Sequence, residues 1–323
     1  TPYEMGVEHG RRQRAVIQGI LKCYADVAGP ELDELPMPAG ALNDLGALFA
    51  PDELDELRGI ADGAEVALEN IAAHNLAVLA ELGDCGHGAV SVNNAARLFH
   101  CWIGKLPLAT PLRERLVPVV QVRLPAQGIP HAVVTIAGMA IGLAGVNQAG
   151  LAVTCASGPS TRQSPPPQPS AGTILACAAD FDSAEAAVRR ARPASGWMAS
   201  VAHFPSAQAM ILAADGATFT RRAGGNELVR EAMCDLSEQG RKRLSVVERM
   251  LAHGPKPEAI AENLEIAVQV TEDAVAEGDA PAVQTPEDLT IVIDSACGDV
   301  WLSPTAPAEP GATFARLPLG GLV

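Results

Sequence analysis

At Gly83 the pattern of the chain changes, and that change does most to limit the folds open to it. Before Gly83, apolar residues recur at helical spacing; after it come short runs rich in β-branched residues. Val7–Ala28 carries Val7, Ile17, Ile20, Leu21 and Tyr24 at helix-compatible spacing. A second helix is expected from Pro51, with Asp52, Glu53, Asp55 and Glu56 near the positive end of its dipole. Leu54, Leu57, Ile60 and Ala61 form its buried stripe, and Gly63 ends it before a third helix over Leu68–Leu82. Beyond the switch, Val117–Leu124 and His131–Ala137 read as strands, joined by a turn containing Pro125, Gly128 and Pro130. Ala140–Val146 and Leu151–Cys155 flank Asn147-Gln148-Ala149-Gly150, a hairpin loop ending in glycine. Gly142-Leu143-Ala144-Gly145 reads as tight sheet packing.

Helices return at Gly172–Ala179 and at Ser183–Arg192, the second capped by Ser183. Ser164–Pro169 is an exposed spacer. Ser200–Ala214 and Ala217–Arg222 bracket Asp215-Gly216, the strongest hairpin signal in the chain. Helices over Ser237–His253 and Pro257–Ala276 precede two final strands, Leu289–Asp294 and Asp299–Ser303. Blocks of helices and blocks of strands fit a layered α+β fold better than alternating βαβ units.

Hydrophobic residues make up 48% of the 323, enough for a sizeable core. Lys and Arg number 23 against 38 Asp and Glu, a net charge of −15 that repels phosphate backbones. Nucleic acid and membranes are therefore not expected partners, and no apolar run reaches membrane-spanning length. The seven cysteines show no framework spacing, which reads as reduced thiols in the cytoplasm.

The chemistry-bearing candidate is Cys85, in Leu82-Gly83-Asp84-Cys85-Gly86-His87. Flanking glycine leaves its backbone accessible, so it is placed to present a thiolate; the competing reading is a small buried residue. A Cys–His couple needs the base within reach of sulfur. His87 would share the face of Cys85 if both lie on one strand, and His100-Cys101 is a second such pair. His9, His74, His131, His203 and His253 read as structural. No spacing suits a zinc site, and the phosphate-loop, zinc-peptidase and serine-hydrolase motifs are missing. No metal or cofactor is expected.

Several stretches, in order, carry a family resemblance. They are Pro2-Tyr3-Glu4-Met5-Gly6 with His9-Gly10; Glu56-Leu57 through Gly59-Ile60-Ala61-Asp62-Gly63, with Leu68-Glu69 and Ile71; Gly145-Val146-Asn147 with Gly150-Leu151-Ala152-Val153; and, more loosely, Ala213-Ala214-Asp215-Gly216 and Leu289-Thr290 with Ile293-Asp294. Together they span nearly the whole chain, which resembles the isopenicillin N acyltransferase-like cysteine enzymes of the N-terminal-nucleophile hydrolase superfamily. The resemblance implies a four-layer αββα sandwich and cleavage just before Cys85. Residues 1–84 would be a helical pro-segment or small-subunit equivalent and 85–323 the core, together one domain. The freed α-amino group of Cys85 would take the thiol proton, and the thiolate would attack an amide or thioester carbonyl.

The family pattern is also broken. Gly86 follows the cysteine where Thr or Ser is usual. Cys101-Trp102-Ile103 stands where a carboxylate is expected, Ala232 near an oxyanion-donating asparagine, and Gln284–Thr285 near an arginine. Asn93, Asn94, Asn147, Ser157 and Asn226 are local candidate donors, and Arg97 or Lys105 could hold a carboxylate; Asn147 has an alternative as a turn residue. Trp102 reads as a pocket wall or as core. The expected function is a diverged cysteine acyltransferase or amidohydrolase acting on a small amide, peptide or thioester in secondary metabolism. The alternatives are an uncleaved pseudoenzyme or ligand-binding protein, and an uncleaved catalyst using His87 or His100 as base.

Overall fold

The computed structural model describes residues 1–28, 45–83, 87–94, 97–105, 115–157, 169–191, 197–215, 218–224, 229–232, 288–295, 298–302 and 315–317. In 87–94 and 97–105, His100 apart, the description is of backbone and register. Three helices come first: α1 (Pro2–Ala28), α2 (Pro51–Ala64) and α3 (Leu68–Gly83). Pro51 opens α2, where its missing N–H costs nothing, and Glu53 reaches back to accept the Ala50 N–H at 3.2 Å. Four glycines let α1 and α2 touch backbone to backbone. A Cβ on Gly6 or Gly10 would lie 2.2 Å from Glu56 O or 2.3 Å from Ile60 O, and one on Gly59 or Gly63 would lie 2.1 Å from Tyr3 O or 2.2 Å from Val7 O. Glycine recurs every fourth residue in both helices, so both contact stripes are bare.

After α3 come β1 (His87–Asn94), β2 (Arg97–Lys105), β3 (Pro118–Arg123), β4 (His131–Ile136), β5 (Ala144–Asn147) and β6 (Leu151–Ser157). Next are α4 (Ala171–Cys177), α5 (Phe181–Ala191), β7 (Trp197–His203), β8 (Gln208–Asp215), β9 (Thr218–Gly224) and β10 (Val229–Ala232). The last strands are β11 (Asp288–Asp294), β12 (Asp299–Leu302) and β13 (Ala315–Leu317). They form two antiparallel sheets. Sheet A has the order β10-β1-β2-β11-β12-β13, and sheet B runs as a simple meander from β3 to β9.

Alternation along the strands of sheet B sorts its two faces. Ala132, Val134, Ile136, Val146, Ala152 and Ala202 face sheet A and pack with Ile291, Ile293, Val300 and Leu302. Ile17, Ile20, Leu57, Ile60, Ile71 and Val78 of the N-terminal helices join that same cluster. On the other face, Val133, Leu151, Val153, Val201 and Leu212 pack under α4 and α5 through Ile174, Leu175, Phe181 and Val188. All six residues of β4 are buried, as expected for a strand covered on both faces. The fold is α+β, with two sheets stacked face to face and helices on the outside of one. The helices expected over 237–253 and 257–276 lie outside the described residues, as do the 164–168 spacer and His253.

Three expected elements differ. Residues 200–214 are two strands rather than one, because Phe204–Ser206 turns where Pro205 can donate no ladder bond and Ala207 takes φ 52°. The strand expected from Ala140 begins only at Ala144; residues 137–143 form a turn whose backbone is bonded by side chains. The cap of α5 is Asp180, whose Oδ1 accepts the Ser183 N–H at 2.8 Å, so Ser183 lies inside the first turn. Tight packing at Gly145 is as expected: a Cβ there would lie 2.3 Å from Ala132 O. Among the described residues no helix is long and apolar enough to cross a membrane.

Candidate functional site

The switch in sequence pattern coincides with a junction in the fold. α3 ends at Gly83 and β1 begins at His87, so Cys85 lies in the three-residue connection, outside the described residues. β1 is an inner strand of sheet A, flanked by β10 and β2. His87 pairs with Gly104, Ala89 with Trp102 and Ser91 with His100, while Gly88 pairs with Ala232 on the other side. His100 Nε2 meets Thr154 Oγ1 of β6 at 3.0 Å. Position 100 therefore faces sheet B, and by alternation positions 102 and 104, with their partners 91, 89 and 87, share that face.

The sequence candidates divide between the two ends and two faces of the sheets. His87 stands at the start of β1, two residues after Cys85. Trp102 is close by in register, opposite Ala89 and Ile291. His100 is four residues farther along, roughly 13 Å from position 87 at strand spacing. It is fully buried, and burial pulls its imidazole down to about 3, so it is a neutral core residue bonded across the sheets. Asn94 sits at the far end of β1, opposite Arg97 and roughly 23 Å from position 87.

Asn147 and Ser157 depart from the expected role. Ser157 pairs with Trp197, whose side chain packs under the helices, so position 157 is on the outer face of sheet B. The Asn147 carboxamide donates to Leu175 O at 2.9 Å and Ala178 O at 2.7 Å, and accepts the Ala149 and Leu151 N–H groups at 3.1 Å. Four backbone bonds leave it no donor for a ligand: it ties the β5–β6 hairpin to α4. Asn147→Ala is expected to cost about 3 kcal/mol of stability by stranding buried backbone groups, read as a lower urea midpoint with unchanged slope.

Polar groups the sequence reading did not single out as a site lie where the helices meet sheet B. Arg123 donates to Glu56 Oε1 at 2.6 Å, to Gln121 Oε1 at 2.9 Å and to Ala140 O at 3.3 Å. Burial lifts the Glu56 carboxyl to about 7 against the pull of Arg123, and burial also raises Glu53. An arginine in the apolar run VPVVQVRL was the available signal, since a guanidinium there needs a buried counter-charge. His9, His74 and Asn75 grip the β4–β5 turn. Gly138 N–H donates to His9 Nε2 at 3.1 Å, and His74 Nε2 donates to Ala137 O at 3.1 Å. Asn75 spans Gly138 O at 2.8 Å and the Ala140 N–H at 3.0 Å. His9, His74 and His131 are structural, as expected, each bonded to backbone. His203 is half-exposed, bonded to Ser206 Oγ at 3.0 Å. Among the described residues no group of three or more His, Cys, Asp or Glu could hold a metal ion.

No family model matches the chain, and no curated protein matches it. Solved structures of similar shape do exist. A Caenorhabditis elegans ortholog of N-acylethanolamine-hydrolyzing acid amidase is 11% identical, covering 72% of this chain and 100% of that one, with a TM-score of 0.45. Penicillin V acylase from Agrobacterium tumefaciens is 12% identical over 72% of this chain and 92% of its own, with a TM-score of 0.30. A mutant form of conjugated bile acid hydrolase from Clostridium perfringens is 7% identical over 73% of this chain and 93% of its own, with a TM-score of 0.40. The architecture described above stands on this chain's own strand registers and buried contacts.

Proposed function

We propose that the chain is a cysteine-dependent acyltransferase or amidohydrolase acting on a small amide, peptide or thioester, with Cys85 as nucleophile. The observation that carries this reading is the place of Cys85 in the chain: between the end of α3 and the start of β1, an inner strand of the sandwich. The ordered sequence motifs supply the chemistry. Water adds across the Asp84–Cys85 peptide bond, giving a new carboxyl on Asp84 and a free α-amino group on Cys85. That amine, with a reference pKa near 8, takes the thiol proton. The thiolate adds to the substrate carbonyl, the amine proton goes to the leaving group, and an acyl-enzyme remains. Water or an amine then accepts the acyl group. His87 and Trp102 are the remaining candidates near the start of β1, as base or wall.

A second reading is an uncleaved pseudoenzyme or ligand-binding protein on the same fold. It is favoured by Ala232, which pairs with Gly88 beside the start of β1 and has no donor where the motif pattern expects one. Intact mass together with trapping by a thiol-directed acyl probe separates the two. The enzyme reading expects two fragments, the larger beginning at Cys85, a probe adduct on that fragment, and a fall in turnover of more than about 1,000-fold in Cys85→Ala. A single full-length species without adduct supports the second reading.

A further inference from the structure

We propose that His9 and His74 form an acid-sensitive latch that fastens α1 and α3 to the β4–β5 turn, closed at neutral pH and released as the two imidazoles take up protons. The geometry requires the His9 ring to be neutral. His9 Nε2 accepts the Gly138 N–H at 3.1 Å, and an imidazolium, which carries hydrogen on both nitrogens, would set N–H against N–H there. Gly138 takes φ +88°, and a Cβ on it would lie 3.1 Å from His74 Cδ2, so the turn has little room to reorient. His74 donates from Nε2 to Ala137 O and accepts the Tyr24 hydroxyl at Nδ1, 3.3 Å away. Protonated at Nδ1, His74 would donate to that hydroxyl and keep Ala137 O, so what opposes its charge is its burial and the neighbouring His9 ring.

The groups facing the latch oppose its charging. Arg123 of β3 and His74 face His9, and the Gln121 side chain meets His9 Nδ1. Arg123 is itself paired with Glu56 of α2, which has Glu53 nearby. His74 is bounded by Tyr24 of α1 and by His9. Burial, first among the causes, pulls both imidazoles down to about 4. These values lie below that of an unfolded histidine, so the stability they contribute is complete above about pH 6.5 and is lost as pH falls toward and through about 4. Glu53 and Glu56, whose carboxyls are raised, act in the opposite sense, but at the contact of α2 with β3 and α4. Acid therefore loosens the hold of His9 and His74 on the turn, leaves Asn75 bonded to it from α3, and spares the contact of α2 with β3 and α4.

Hydrogen exchange on the full chain, corrected for intrinsic rate and stepped from about pH 7.5 to about pH 4, tests this. Peptides covering 2–28, 68–83 and 137–143 are expected to speed up by about 10-fold or more at a pH where 197–215 stays protected. His9→Gln/His74→Gln supplies carboxamides able to serve Gly138 N–H and Ala137 O without titrating, and should hold protection to about one pH unit lower. Loss of protection in all these peptides at one common pH overturns the latch, as does a double variant that follows the wild type. If the double variant does not fold, His9→Gln alone is read by the same criterion.

Discussion

Gly59→Ala is expected to destabilise the chain by about 3 kcal/mol or more, although the same change in an ordinary helix interior gains about 1 kcal/mol. The reversal comes from what the new methyl group meets. Its carbon would lie 2.1 Å from Tyr3 O, 2.8 Å from Val7 N and 3.0 Å from Gly6 Cα, all backbone of the facing helix. Backbone cannot swing aside as a side chain can, so α1 must move bodily away from α2. Ile17, Ile20 and Tyr24, which α1 places in the core, would be dragged with it. Gly19, also in α1, provides the control: nothing lies within 4 Å of a Cβ there. Gly19→Ala should therefore be stabilising, by up to about 1 kcal/mol. Denaturant unfolding of the two variants should show opposite signs, and equal effects would mean that the helices do not meet at their glycines.

Arg123→Met is expected to cost about 3–5 kcal/mol, because it strips a buried carboxylate of its counter-charge. The loss should depend on pH in a set direction. Glu56 is already raised to about 7 with the guanidinium beside it. Its folded value lies above its unfolded one, so its contribution falls as pH rises from the unfolded value to the folded one. Without Arg123 the folded value climbs further, and the fall continues above pH 7 where the wild type has levelled off. The gap between variant and wild type should then widen by about 1.4 kcal/mol per pH unit above about pH 7. Urea unfolding at about pH 6 and about pH 8 reads this directly. A gap of equal size at both would show that removing Arg123 leaves the titration of Glu56 outside this range.

What could be read from the sequence was what depends on near neighbours. The stripes of α1 to α3, the Asn147–Gly150 loop and the β-branched runs of β3 and β4 are local patterns, and each element formed where its pattern lay. β10 and β13 have four and three residues, and they exist as strands because β1 and β12 offer them an edge. The β4–β5 turn misled for a related reason. Ile141 and Leu143 are buried as strand residues would be. The backbone around them is bonded instead by Asn75 and His9, 65 and 129 residues away. The same distance in sequence hid the partnership of Arg123 with Glu56, and it decided His100, whose role follows from which strand of the opposite sheet lies across from it. Asn147 was half legible. Its turn geometry was local, but the two carbonyls at the end of α4, of Leu175 and Ala178, that saturate it were not.

One apolar layer runs without a break from the three N-terminal helices through the facing sides of both sheets. No cut near residue 85 yields two modules that each own an interior. A gene fragment beginning there would keep the apolar layer under α4 and α5, but it would lose the His9, His74 and Asn75 bonds to the β4–β5 turn and open to water the apolar surface that the helices share with the sheets. Recombination that swaps one half for that of a distant relative is correspondingly barred, because the two halves can change only in step.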